Sequence, residues 1–481
     1  MSITVILKLV IVGTIAVVAL LSFRQKWLTR KKRKHVRGTM LVTPREFEKT
    51  IKGDGIAIPN TANDEHHHPY LKIKQADENK HFLICGDTGT GKSAIFHTML
   101  QQIRLRDTER AVVYDPKLEF YKNHGRPNDT VLYPFSDKCP YWDLSREITR
   151  PEMAKLIAES LLPCKPGNEN EFFTSSSRHV LDKLLIKLGE CQGSVDDFLY
   201  WLRDPEMIDH LLENEIEANY IPKDAFPQRA GVIASLTQMG KSLELLPSIN
   251  EGRKSFALSK WVKQRPGWIF IGGTGPADQQ ILQPLFSIWF NILIQQLLDF
   301  SESYSPPPTW LFIDEIASLK SLSFLEQAAS QARGFNTRLV LGFQNKYQIE
   351  NFYNKLAQPI LSAPKTKIFL RTTEVDSAEW CAKMIGEPEF EQRVLSRSFQ
   401  RAFNSRESIS YREEKKTEYL VLPSEFATLD DREGYLQYQG ITTPIAFDYP
   451  ALTPTNDITR SKRSTLPHRV KKTSKTPTAI M

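Results

Sequence analysis

Residues 81–100 read HFLICGDTGTGKSAIFHTML, and this stretch decides the fold. HFLIC is a short apolar run closed by glycine, the pattern of a buried strand. From Ser93 to Arg104 the spacing is that of a helix. Between them, Gly86-Asp87-Thr88-Gly89-Thr90-Gly91-Lys92-Ser93 fits GxxxxGK[ST] in full, and a strand before and a helix after are the context that makes this pattern a phosphate-binding loop. Its glycines let backbone N–H groups wrap phosphates, and the helix N-terminus adds partial positive charge. In that reading Lys92 reaches the β- and γ-phosphates and Ser93 ligates Mg²⁺. The expected ligands are ATP and Mg²⁺.

Working outward, WLFIDE (310–315) is a second buried strand with two acids at its carboxyl end. In register with a complete phosphate loop, Asp314 is expected to hold Mg²⁺ through water. Glu315 is expected to orient or deprotonate the attacking water, which implies hydrolysis rather than nucleotide sensing. Gln344 directly follows the strand RLVLGF (338–343), where its amide either senses the γ-phosphate or caps the strand end. Arg333, in QARGFNT before that strand, reads either as a solvated loop residue or as a finger completing a neighbouring subunit's site. Asp115 ends the strand AVVY (111–114), where it either touches the nucleotide or caps the turn at Pro116.

Further strands are expected at VLYPF (131–135), WIFI (268–271) and KIFL (367–370), with a long helix at 278–300. Residues 38–75 read as polar and turn-rich, and their His66–His68 triplet as a solvated turn. Between about 148 and 254 every stretch has helical spacing, and Ser194 and Asp197 resemble a capping box. Strands alternating with helices on both sides of a helical insertion indicate an α/β fold with a parallel sheet. The expected division is an anchor and basic segment at 1–37, a motor at 38–147 and 255–450, the insertion at 148–254, and a basic disordered tail at 451–481.

The ends differ from the middle. Ile3–Phe23 is mostly apolar with one charge, Lys8, and long enough to cross a bilayer. Basic residues follow it, and their place after the span predicts an uncleaved single-pass signal anchor with the bulk of the chain cytoplasmic. Residues 1–37 hold nine Lys/Arg and no acid, and residues 455–481 hold seven and one. That leaves 47 basic and 55 acidic side chains between them, so the overall net charge of +7 does not describe the core. This is no sign of a basic nucleic-acid-binding core, and any such binding must rest on a local patch, a pore or the tails. Five scattered cysteines without a CxxC pair support neither a disulfide framework nor a zinc site.

Over residues 38–450 the chain resembles the TraD/TraG-type coupling proteins of conjugation and type IV secretion. The resemblance rests on GDTGTGKS, VVYDPKLEF, LYPFSDKCPYWDL, SKWVKQRPGWIFI, LFIDEIASL, QARGFNTRLVLGFQN and EYLVLPSEFATLDDREGYLQYQG, in that order. It implies a RecA-like P-loop ATPase motor with an all-helical insertion, anchored in the bacterial inner membrane and assembled as a homo-hexamer. Its implied partners are DNA, a relaxase or relaxosome, and the type IV channel. It puts the nucleotide residues on Gly86–Ser93, Asp314, Glu315 and Gln344, and the trans-acting arginine on Arg333. Members often have two spans, whereas one is expected here. Delivery of protein effectors without DNA, and an FtsK/HerA-like DNA translocase, are the alternative readings.

Overall fold

The computed structural model describes residues 34–61, 70–163, 171–264, 267–299, 307–319, 322, 325–398 and 408–458. The expected anchor at Ile3–Phe23, most of the basic run after it, the His66–His68 triplet and the tail beyond 458 lie outside them.

A ten-stranded sheet forms the core. Its strands are β1 (Met40–Leu41), β2 (Phe82–Cys85), β3 (Arg110–Asp115), β4 (Thr130–Leu132), β5 (Ile269–Gly272), β6 (Thr309–Ile313), β7 (Thr337–Phe343), β8 (Thr366–Leu370), β9 (Glu433–Tyr438) and β10 (Ile441–Ala446). Across the sheet they run β1-β10-β9-β8-β2-β7-β6-β3-β5-β4. From β8 to β4 neighbouring strands are parallel. Every residue of β2, β3, β5, β6, β7 and β8 is buried, as it must be in a parallel sheet covered on both faces.

The expected strands do form a parallel sheet, and an antiparallel addition that the sequence reading did not include makes the whole sheet mixed. Strand β9 pairs antiparallel with both β8 and β10. The β9–β10 connection is the two-residue turn Gln439-Gly440, with φ of +51° and +76°, the primed geometry that matches strand twist. Two other sequence expectations shift. The strand expected at 131–135 stops at Leu132, because Tyr133 turns its hydroxyl to Asp278 at 2.6 Å. Residues 38–61 hold a capped helix, Pro44–Ile51, whose Thr43 and Glu46 satisfy each other's backbone N–H groups.

Helix α1 (Lys92–Arg104) follows β2, and the short α2 (Glu119–His124) follows β3. They meet through Phe96 stacked on Phe120 and His97 edge-on to the same ring. Between Tyr141–Trp142 and Ser255–Phe256, which pair with each other, the described elements are all helical. The capping box of Ser194 and Asp197 is present there. The long helix α3 (Pro276–Leu298) joins this region to the sheet. On one side Phe286 and Phe290 pack on Tyr114. On the other Trp289 meets Trp142 and Asn291 bonds Ser160. It is the one helix among the described residues long and apolar enough for a membrane, but 72% of its apolar window is buried in this core.

A long hairpin, Glu389–Ser398 with Ser408–Thr417, stands outside the main sheet and pairs with Lys34–Arg37.

Candidate functional site

Parallel strands place their carboxyl ends on one edge, and the site lies there. Strands β2, β7 and β6 are consecutive, so the phosphate loop, Gln344 and the Asp314-Glu315 pair emerge side by side. The loop's ends are fixed to its neighbours. Gly86 N donates to Phe343 O on one side, and Asp87 N donates to Arg371 O on the other. Gly89 and Gly91 take φ of +83° and +110°, open to glycine at little cost. At Gly91 a Cβ would also stand 3.0 Å from Arg432 and 3.1 Å from Phe447.

Within the loop, Thr90 Oγ1 donates to Asp87 O at 2.8 Å, and Asp87 Oδ2 accepts from Thr373 N and Oγ1 at 2.9 and 2.7 Å. Asp87 and Thr90 thus shape the loop through their side chains. Thr88 is placed differently, since its hydroxyl donates to Gln344 Oε1 at 2.7 Å. Lys92 is buried, with Nζ donating to Gly86 O at 2.6 Å and Asp87 O at 2.9 Å. Lys92 opens helix α1, and Ser93 is its second residue.

The electrostatics of the site suit a cation. Asp314 Oδ1 and both Glu315 carboxylate oxygens are shielded from solvent without a hydrogen-bond partner. Burial pushes the Asp314 carboxyl up, with Lys92 opposing. Burial pushes Glu315 up to about 7, with Lys92 opposing and Asp314 adding; Gln344 favours the charged form without a hydrogen bond of ordinary geometry. Burial also pulls the Lys92 ammonium down, against the pull of Asp314 and Glu315. Orphaned acid oxygens beside a lysine that folds onto its own loop's carbonyls fit a divalent cation and an anionic ligand entering together.

Asp115 resolves as a clamp. Its Oδ1 accepts from Glu119 N at 2.9 Å and its Oδ2 from Tyr121 N at 3.0 Å. Burial raises its carboxyl to about 7 despite those bonds. Arg333 lies elsewhere: its backbone is in the turn Ala332–Phe335, at the amino end of β7. The structure therefore gathers the loop, Asp314, Glu315 and Gln344, and separates Arg333 from them. The clamp that Asp115 forms on the backbone of Glu119 and Tyr121 joins residues four and six positions apart in VVYDPKLEFY, a pairing the sequence pattern does not mark.

The family model of the type IV secretion-system coupling protein DNA-binding domain matches residues 65–447. The chain belongs to that family. Coupling protein TraD of Escherichia coli K12 is 26% identical over 412 residues, covering 82% of this chain and 55% of TraD. The chain thus spans about half the length of that relative. Coupling protein TrwB bound to the non-hydrolysable ATP analogue ADPNP superposes with a TM-score of 0.75 at 22% identity, over 89% of this chain and 98% of the chain in that structure. TrwB with ADP and Mg²⁺ gives 0.74 at 22%, over 88% and 97%. The chain shares the fold of these coupling proteins.

Proposed function

We propose that this coupling protein is an ATPase motor that delivers DNA, single-stranded and relaxase-bound, to a type IV secretion channel. The observation that carries the reading is the convergence of a complete phosphate loop and the unpaired oxygens of Asp314 and Glu315 on one edge of the sheet, at strands flanking β7, in a chain of the coupling-protein family. TrwB solved with ADPNP and with ADP and Mg²⁺ supports ATP and Mg²⁺ as ligands here.

In this reading the backbone N–H groups of Gly86–Ser93 hold the phosphates, and Lys92 exchanges its two loop carbonyls for phosphate oxygens. Ser93 and Asp314 would hold Mg²⁺, which supplies neutralisation of phosphate charge. Glu315, part-buried with a raised pKa, takes a proton from water near neutral pH. Gln344 bonds Thr88 in the loop and so reports the γ-phosphate to β7. Arg333 serves a neighbouring subunit, which calls for a ring, here a homo-hexamer. The acidic core leaves DNA contact to the ring's pore or the basic ends. The motor comprises 38–147 and 255–450, the helical insertion 148–254, and residues 1–37 anchor it in the inner membrane.

The test is phosphate release by the full chain, with and without single-stranded DNA. Expected are Mg²⁺-dependent turnover, stimulation by DNA, and loss of turnover in Glu315→Gln. Absence of any hydrolysis by a folded, assembled protein would return the site to nucleotide binding alone.

A further inference from the structure

Arg432 stands outside the motifs that define the site, yet the fold sets it against the phosphate loop. Strand β9 runs antiparallel to β8 with Gly434 opposite Leu370, so it begins on the edge where the parallel strands end. Arg432 lies two residues before Gly434, and Phe447 follows β10 on the same edge. Strands β8 to β10 lie on one side of β2, and β7 and β6 lie on the other. The loop is therefore flanked by Gln344 and the acid pair on one side and by Arg432 on the other.

The contact is close and held by backbone on both sides. Arg432 N donates to Thr90 O at 2.8 Å, and Phe447 N donates to Arg432 O at 3.1 Å. Between these bonds Arg432 takes φ +66°, the left-handed region that a residue with a Cβ avoids. Strained residues of this kind persist where neighbours over-determine them, and they gather at ligand clamps. The stem of the side chain lies on the loop, with Cγ 3.0 Å from where a Gly91 Cβ would stand. Arg432 is exposed, and no hydrogen bond or ion pair with a described residue holds its guanidinium. The charges around it are already engaged. Arg371 Nη2 pairs with Asp431 Oδ1 at 2.6 Å, and Lys92 donates to the loop's own carbonyls. An exposed arginine is ordinarily just solvated. This one is bonded through its backbone to a phosphate loop, strained, and laid across a glycine of that loop.

We propose that Arg432 binds the α- and β-phosphates of the nucleotide in its own subunit, from the flank of the loop opposite Glu315. The inference rests on the nucleotide-site reading above. Hydrolysis places the γ-phosphate beside Glu315 and Gln344, so the rest of the nucleotide leads away from them, towards Arg432. A guanidinium there offers a fork of N–H donors and a charge that does not titrate. Arg432 thus acts within one subunit, whereas Arg333 lies on the far edge of the sheet.

The experiment titrates ADP with Mg²⁺ into the full-length protein by calorimetry, at low and at high salt. Arg432→Gln keeps the stem over Gly91 and removes the charge, whereas Arg432→Lys keeps the charge. Arg432→Gln is expected to weaken ADP binding about ten-fold or more at low salt, the scale of a lost charge-assisted hydrogen bond. The salt dependence of its affinity should flatten, because one screened attraction has gone. Arg432→Lys should bind more tightly than Arg432→Gln and retain the wild-type salt dependence. Wild-type affinity in Arg432→Gln, or an equal loss in Arg432→Lys, would each overturn the proposal. So would a loss in Arg432→Gln that leaves the salt dependence unchanged, the mark of a stacking or purely structural contact. Failure of the wild-type protein to bind ADP would instead overturn the nucleotide-site reading itself.

Discussion

The Thr88 hydroxyl donates to Gln344 Oε1 across 2.7 Å, joining the phosphate loop to the end of a strand 256 residues further along the chain. A ligand that reorganises the loop must break or re-aim this bond, so Gln344 is mechanically tied to the occupancy of the loop. Its other amide face lies towards Glu315. Gln344→Ala is expected to leave ATP affinity within about three-fold and to lower kcat by about 10²-fold or more, the lower end of the range seen when a positioned donor is removed. Equilibrium binding of a fluorescent ATP analogue, set beside steady-state phosphate release, separates the two effects. Equal losses of affinity and turnover would make Gln344 a binding residue only.

Glu315 carries a pH signature. Its carboxyl is pushed up to about 7 before ligand enters, so kcat/KM, which reports the free enzyme, should fall as pH drops below about 7. Stability runs the other way. A carboxyl with a folded pKa above its unfolded value binds more protons when folded, so stability falls as pH rises between about 4.5 and 7. Glu315→Gln removes that slope. Without nucleotide it should melt above wild type at pH 8, by about 1–2 kcal/mol after allowing for partial solvent access, and near it at pH 5. Turnover should be abolished with ATP binding intact. Lys92→Ala, in contrast, should weaken ATP binding itself.

The parts legible in the sequence are those whose chemistry is local. Eight contiguous residues make the phosphate loop, and four apolar residues followed by Asp314-Glu315 make its partner. Their meeting follows from parallel strands ending on one edge. Arg432 was not legible, because the Gly91 it packs against lies 341 residues away in the chain. The antiparallel addition hid behind a turn with glutamine at a positive φ, where asparagine or aspartate usually marks the hairpin. The helix at Pro44–Ile51 did carry its signature, Thr43-Pro44-Arg45-Glu46. The polar composition around it masked a single amphipathic turn pair, Phe47 and Ile51.

Glu147 is the fastening between the sheet and the helical insertion. Fully buried, it accepts from Trp142 Nε1 at 2.9 Å, Leu258 N at 2.6 Å and Ser259 N at 2.9 Å. It therefore ties the chain entering the insertion to the chain leaving it. Glu147→Ala leaves three buried donors without an acceptor, at about 1–3 kcal/mol each when unrelieved. Water entry recovers part of this, and a loss of about 3–5 kcal/mol is expected in chemical denaturation. A change below about 1 kcal/mol would show that the two crossings hold together without it.

Arg333 tests whether hydrolysis needs a neighbour. Its turn, Ala332–Phe335, precedes β7, and Gln344 follows the same strand. Thr337 to Phe343 at roughly 3.3 Å per residue is ~20 Å, so Arg333 and its own phosphate loop lie on opposite edges of the sheet. No arginine side chain bridges that span within one subunit, yet a docked neighbour can present it to the next site. Developing phosphate charge is then stabilised only in an assembly, an effect worth roughly 10³–10⁵ in rate where such arginines act. Activity per subunit should rise steeply with protein concentration. Arg333→Ala should bind ATP and lose turnover. Mixing Arg333→Ala with Lys92→Ala, each inactive alone, creates interfaces that pair an intact phosphate loop with an intact Arg333. Those interfaces should recover part of the hydrolysis. Full activity of Arg333→Ala alone, or of a stable monomer, would leave Arg333 as an ordinary solvated residue at the amino end of its strand.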